Sequence, residues 1–185
     1  MRAITVLGAA LLVATALPAY AGDITINMYA ISNAGVGKMI GKIRAVDSTE
    51  GLLLVPNLHL PGAKAGQHGF HLHENPSCGA KGPNGKTGAG LAAGGHFDPQ
   101  HTGHHEGPYG KGHLGDLPSL AFDASGNAYT AVTAPRLKVA DLWGHALVIH
   151  AGGDNYADNP PLGGGGARIA CGVIAHGKPA AKAKP

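Results

Sequence analysis

The sequence predicts an all-β fold: an eight-stranded Greek-key β-sandwich or barrel of the immunoglobulin-like kind, with two long functional loops. Three observations carry this prediction. Short stretches alternate polar and apolar residues with the period of a half-buried strand. Turn chemistry separates them, with 31 glycines and 13 prolines among 185 residues. Charged residues make up 14% and aromatics 5%, which is too apolar for a disordered chain, and the length suffices for one medium core.

Met1 and Arg2 precede an uncharged apolar run, Ala3 to Leu17, and Ala19-Tyr20-Ala21 has the small-x-small pattern of a signal-peptidase site. The run is short for a bilayer span. Residues 1–21 therefore read as a removed signal peptide, with the mature start at Gly22 or Asp23 and delivery to the periplasm. The folded domain is expected over 22–176, followed by a frayed Ala/Lys/Pro tail over 177–185.

The expected strands then follow in order. Asp23 to Ile31 alternates, and a Gly35/Gly37 turn leads into Lys38 to Val46, with Met39, Ile43 and Ala45 available for one face. Asp47-Ser48-Thr49-Glu50-Gly51 is turn chemistry, Leu52 to Leu58 is the third strand, and Pro61-Gly62 stops it. Gln67 to Glu74 is the fourth. Ser119 to Ala124 and Asn127 to Val132 flank a Ser125-Gly126-Asn127 turn, and Ala146 to Ala151 and Ala167 to Ala175 complete the set. Trp143 is expected to pack beneath the loop before Ala146.

Between them lie two long loops, Asn75 to Pro118 and the glycine-rich Gly152 to Gly166. Loops of that length inside a domain are usually functional, and the first has too little apolar content to order itself. Cys78 and Cys171 are the only cysteines. In an exported chain they read as a disulfide, worth about 4 kcal/mol on the chain-entropy model, against the alternative of two buried thiols.

The formal net charge is +3, and three of the cations, Lys178, Lys182 and Lys184, sit in the tail. No basic stripe points to nucleic acid. No hydrophobic run after the leader is long enough for a membrane helix.

The chemistry lies in the histidines. In Gly69-Phe70-His71-Leu72-His73, His71 and His73 share one side of a strand, about 6.6 Å apart along the backbone, while Leu72 points into the core. Alone, this pattern would equally describe two surface histidines. Downstream come Gly95-His96-Phe97-Asp98-Pro99, His105-Glu106-Gly107-Pro108, His113-Leu114-Gly115-Asp116 and His150. Six histidines and one aspartate can build two touching metal sites. Three histidines with a carboxylate suit tetrahedral Zn²⁺, and an all-imidazole set suits Cu²⁺.

These motifs, with the ending Gly164-Gly165-Gly166-Ala167-Arg168-Ile169-Ala170-Cys171-Gly172-Val173, resemble copper/zinc superoxide dismutase, and the exported bacterial branch in particular. The resemblance spans about Asp23 to Ile174. It implies one copper per subunit on His71, His73, His96 and His150, and one zinc per subunit on His96, His105, His113 and Asp116. His96 would serve both ions as a shared imidazolate. Asp154 would receive hydrogen bonds from a ligand of each metal, Cys78 and Cys171 would be the family's disulfide, and Arg168 would stand at the open copper face. His104 and His105 compete for one zinc position, and the register of His-x-Gly-Pro selects His105.

The implied reaction is dismutation of superoxide to O₂ and H₂O₂ through a Cu²⁺/Cu⁺ cycle, with His96 and Arg168 as the catalytic side chains. Lys81 and Lys86 are candidates for steering the anion, and ordinary solvated lysines would look the same. His68 reads as a buried, backbone-bonded histidine, whereas His59, His101, His145 and His176 read as solvent-facing or locally packed. Two alternatives stand beside this one: a non-catalytic copper/zinc-binding module of the same fold, and a structural sandwich with incidental histidines. A homodimer is possible.

Overall fold

Period-two patterning becomes ten strands: β1 Asp23–Ser32, β2 Gly35–Ser48, β3 Gly51–His59, β4 Gly66–His68, β5 Phe70–His73, β6 Leu120–Phe122, β7 Asn127–Ala128, β8 Val132–Ala134, β9 His145–His150 and β10 Arg168–Ile174. The computed structural model describes residues 22–83 and 85–175. The expected signal peptide, His176 and the 177–185 tail lie outside the described residues.

One curled antiparallel sheet runs β5-β9-β10-β1-β2-β3-β7, with β8 also on β3, and β4 pairs with β6. Strands β1 to β3 form a meander, and β10 returns to pair beside β1, which gives the Greek-key crossing. β4 runs into β5 through Gly69, and β6 turns into β7 where Asp123 N donates to Asn127 O at 2.9 Å, so the sheet nearly returns on itself. Inside it lie Ile26, Met28, Ile43, Leu52, Leu54, Leu58, Phe70, Leu72, Leu117, Leu120, Leu142 and Leu147, all buried. Truncating one such leucine to alanine costs about 2–5 kcal/mol.

Two departures from the eight expected strands have local causes. The stretch 67–74 divides at Gly69, whose N–H donates to Gly152 O and whose carbonyl accepts from His150 N, both at 2.8 Å. The chain therefore leaves β6 before the glycine and joins β9 after it. The stretch 127–132 divides because the register of β7 and β8 on β3 sets Pro56 opposite Thr130, and proline has no N–H for a ladder.

The face assignment of β2 also changes. Met39 is exposed and Ile40 is buried. A bulge at Gly41 reverses the side: its φ is +136°, and a Cβ there would collide with Asn57 O. Trp143 is partly exposed instead of packed beneath its loop. It follows the short 3₁₀ turn Val139–Leu142 and precedes β9. Asp47 fastens that turn to the start of β1, accepting Val139 N at 2.6 Å and Gly22 N at 2.9 Å.

The first long loop is tied to the sheet in three ways. Cys78 and Cys171 are bonded, joining the loop to β10 with their Cα atoms 5.7 Å apart. Arg168 of β10 donates to Gly90 O and Gly94 O, each at 2.6 Å. The free edge of β5 is capped by loop backbone, with Phe97 N donating to Leu72 O at 2.8 Å and Leu72 N to Gly115 O at 2.9 Å. His71 thereby lies opposite Asp116, and His73 opposite His96.

Candidate metal centre

That edge capping builds the site. Strand alternation sends Phe70 and Leu72 into the core and turns His71 and His73 to the other face, which the two long loops cover, so all four are buried. β9 pairs with β5 and delivers His150 from its last position. The loop segments clipped to β5 deliver His96 and Asp116, and His105 and His113 come from the turns between them.

Two groups of four result: His71, His73, His96 and His150, then His96, His105, His113 and Asp116. His96 belongs to both. In the second group one carboxylate oxygen, Asp116 Oδ1, lies 2.9 Å from His105 Nδ1, 3.0 Å from His96 Nδ1 and 3.4 Å from His113 Nδ1. A tetrahedron with metal–ligand bonds near 2.0 Å has edges of about 3.3 Å. The three edges from Asp116 Oδ1 lie close to that spacing, and all four ligand atoms stand within 4.8 Å of one another.

The other ring nitrogens are anchored. His71 Nε2 and His105 Nε2 donate to the two oxygens of Asp154 at 2.7 and 2.8 Å, and Tyr156 N adds a third bond to that carboxylate at 2.8 Å. His73 Nδ1 donates to Gly94 O at 3.0 Å, and His150 Nδ1 to Gly166 O at 3.1 Å. What remains is His71 Nδ1, His73 Nε2, His96 Nε2, His105 Nδ1, His113 Nδ1 and His150 Nε2, all buried and in no well-aligned hydrogen bond, with His105 Nδ1 and His113 Nδ1 facing only the Asp116 carboxylate. Buried polar atoms are rarely left unpaired. Here the six converge on the two group centres, an arrangement that a cation at each centre would satisfy.

Proton affinity follows burial and charge. Burial drives His71 down to about 3 against the pull of Asp154, and His150 down to about 4. Burial also holds His73 and His96 below the ordinary histidine range. Their rings are neutral at pH 7 and present lone pairs. His105 is the exception: burial opposes its charge, but Asp116 and Asp154 outweigh it and raise the ring to about 9. The same contacts hold both carboxyls well below the usual range, although burial works the other way.

Arg168 flanks a cleft of about 320 Å³ with Glu74, Lys86, Gly94 and Gly95 among its walls. Gly94 O accepts from both Arg168 and His73, so the cation stands one carbonyl away from the first group. Lys81 does not line this cleft; its backbone pairs with Thr87.

The remaining histidines stand apart. His104 is exposed and bonded to Asp158 at 2.9 Å, whereas its neighbour His105 turns inward. His68 is buried between His150 O and Lys64 O, at 2.6 and 2.8 Å. His59 is exposed on Asn127, His145 bonds Glu74 O and packs on Phe97, and His101 is exposed. Sequence reasoning missed Arg136, Tyr156 and Asp158, which fasten the loops around the site. Their partners are mostly backbone groups far away in sequence, and such contacts leave no motif.

A model of the family described as copper/zinc superoxide dismutase matches residues 39–174. Superoxide dismutase [Cu-Zn] of Escherichia coli (strain K12) is 49% identical over 168 residues, covering 89% of this chain and 94% of that protein. The solved Cu/Zn superoxide dismutase from Brucella abortus superposes with a TM-score of 0.78 at 48% identity, covering 83% of this chain and 99% of that one. The solution structure of the monomeric enzyme from Salmonella enterica gives 0.72 at 48% identity, with the same coverage. Similarity this extensive takes in both long loops and every strand that frames the two histidine groups. The chain belongs to the copper/zinc superoxide dismutase family.

Proposed function

We propose that the chain is an exported superoxide dismutase that holds copper on His71, His73, His96 and His150 and zinc on His96, His105, His113 and Asp116. The observation that carries this reading is the set of six buried ring nitrogens, none in a well-aligned hydrogen bond, converging on two centres that share one imidazole. The donor chemistry fits each ion: four imidazoles for copper, and three imidazoles with one carboxylate at tetrahedral spacing for zinc.

Two superoxide anions and two protons become one O₂ and one H₂O₂. When bound, copper supplies the one-electron exchange and zinc supplies fixed charge and order. The chain supplies the rest. Arg168 offers a permanent cation with planar donors where an anion enters the cleft. Lys86, on the same wall, adds attraction that salt screens. His96 can hold a proton at Nε2 while Nδ1 stays beside Asp116 Oδ1. Asp154 fixes the tautomers of His71 and His105, so that Nδ1 of each faces its ion.

Every group in the site comes from one subunit, so a homodimer would add no ligand. The signal peptide over 1–21, the domain over 22–176, the tail over 177–185 and a periplasmic destination belong to the same proposal. No helix among the described residues is long and apolar enough to cross a membrane.

The test is metal analysis and a superoxide-decay assay on residues 22–185, beside His96→Ala. One copper and one zinc with fast decay, both lost in the variant, is the expected result. A fully loaded protein that leaves superoxide decay unchanged would favour the binding module. Absence of stoichiometric metal would favour the structural sandwich.

A further inference from the structure

We propose that Arg136 is a positioning residue for zinc: a clamp that holds the turn between His105 and His113 in its metal-ready shape. This rests on the zinc-ligand reading above. Arg136 follows β8, which is paired to β3, so its backbone is rooted in the sheet. Its guanidinium spreads over four carbonyls of the opposing loop. Nε donates to Pro108 O at 3.1 Å, Nη1 to Gly112 O at 3.0 Å, and Nη2 to Gly107 O at 3.2 Å and His113 O at 2.5 Å.

The segment that Arg136 grips has little structure of its own. Its backbone ties are His113 N to His104 O at 2.8 Å and two long bonds at 3.4 Å, Gly110 N to Gly107 O and Asp116 N to His113 O. From the inner side, Asp116 Oδ2 accepts Glu106 N and Gly107 N, both at 3.2 Å. The turn is therefore held between a carboxylate that takes its N–H groups and a guanidinium that takes its carbonyls. Four carbonyls converging on one point need a planar fork of donors; an ammonium supplies one point charge instead. His113 is both a gripped residue and a ligand, so the clamp sets where its ring starts. Arg136 lies in no ligand group and does not line the Arg168 cleft. A separate cleft of about 420 Å³, lined by Asp98, Gln100, Lys111, Gly112 and Leu114, opens Arg136 to solvent.

The experiment compares wild type, Arg136→Met, Arg136→Lys and Arg136→Ala as full mature chains. The measurements are zinc affinity by chelator competition, the visible spectrum of Co²⁺ placed at the zinc site, and hydrogen exchange of residues 107–113. Arg136→Met is expected to weaken zinc about 10- to 100-fold, the range for groups that orient ligands, to alter the Co²⁺ bands, and to speed exchange in 107–113. Arg136→Lys recovers part of the affinity. Millimolar methylguanidinium, entering the open cleft, restores Arg136→Ala toward wild type. Ile43→Val, a core truncation on β2, is the stability control and keeps wild-type zinc affinity.

Zinc affinity in Arg136→Met within threefold of wild type, with unchanged exchange, overturns the clamp. So does a loss that Ile43→Val reproduces. If wild type takes up no zinc, the ligand reading fails instead, and exchange of 107–113 in the metal-free proteins alone decides the clamp.

Discussion

Asp154 is the sharpest place to test how the two proposed sites are coupled, because it belongs to neither group of four. Its carboxylate is fully buried and accepts His71 Nε2 at 2.7 Å, His105 Nε2 at 2.8 Å and Tyr156 N at 2.8 Å. Asp154→Ala leaves two ring donors and one backbone donor without a partner. Each orphaned buried donor costs about 1–3 kcal/mol, which is about 5- to 150-fold in the affinity of the ion its ring should hold. The two ions should not suffer equally. His71 sits within β5, paired to Val148 of β9, and keeps its place when the carboxylate leaves. His105 sits in a loop where its own backbone is held by Asp158. Zinc should therefore fall at the upper end, about 100-fold, and copper at the lower end, about 5- to 10-fold.

The assay is competition with a chromogenic chelator for zinc and a separate one for copper, on the same preparation, with circular dichroism to confirm the fold. Asp154→Asn keeps the volume but converts an acceptor into a donor. It should also fall short of wild type, which separates lost bonds from lost volume. Zinc affinity within twofold of wild type, or copper weakened more than zinc, would refute the reasoning.

Three further outcomes follow from the same geometry. Arg168→Ala should slow superoxide decay about tenfold, the loss of one charged contact of about 1.5 kcal/mol; metal content should stay at wild-type level and the salt dependence should flatten, both measured by stopped flow with metal analysis. Cys171→Ser opens the bond to Cys78 across 93 positions, which removes about 4 kcal/mol on the chain-entropy model and should lower Tm by about 10 °C in calorimetry. For the metal-free protein, His71 and His150 lie near 3 and 4 in the fold and about 6.5 unfolded, so the unfolded chain gains protons first and stability falls as pH drops below about 6.5. His105, raised to about 9, acts in the opposite sense: its contribution is complete below about 6.5 and is lost as pH rises through 9. Tm of the metal-free protein should therefore peak near pH 6.5, and a flat profile from pH 4 to 6.5 would count against the buried neutral rings.

Much of the site was legible because its logic is local. His71 and His73 sit two apart on a strand, so their shared side follows from the pleat. His113 and Asp116 sit three apart across a glycine turn, and both donate to one group. The choice of His105 over His104 came from motif register, and the structure turns His105 inward and His104 to solvent. What escaped was non-local. Alternation continued past Gly41 assigns Met39 inward, but the bulge there answers to Asn57 of the next strand, which a local pattern does not see. Gln67 to Glu74 reads as one strand because its propensities are continuous, yet Gly69 hands the chain from one partner to another. Arg136 gave no signal, since its recognition of four carbonyls depends on where the backbone passes.

The placement of the ligands also argues that the two ions do different structural work. Three of the four proposed copper ligands, His71, His73 and His150, lie on paired strands β5 and β9, in a sheet that the core already stabilises. Their positions do not wait for an ion. All four proposed zinc ligands lie in the single connection between β5 and β6, a stretch whose described residues form one short 3₁₀ turn and no strand. Closing such a loop has an entropic cost that grows only slowly with length, so one ion can offset much of it. His96 is where the two regimes meet. It leaves the loop beside Phe97, whose N–H is bonded to Leu72 O, and so it is half anchored to the sheet. An ion on its Nδ1 side completes the anchoring, and the Nε2 side then faces the strand-borne histidines from a fixed direction. The proposed redox site is thus made rigid from one side by β-sheet and from the other by a neighbour that need never change its charge.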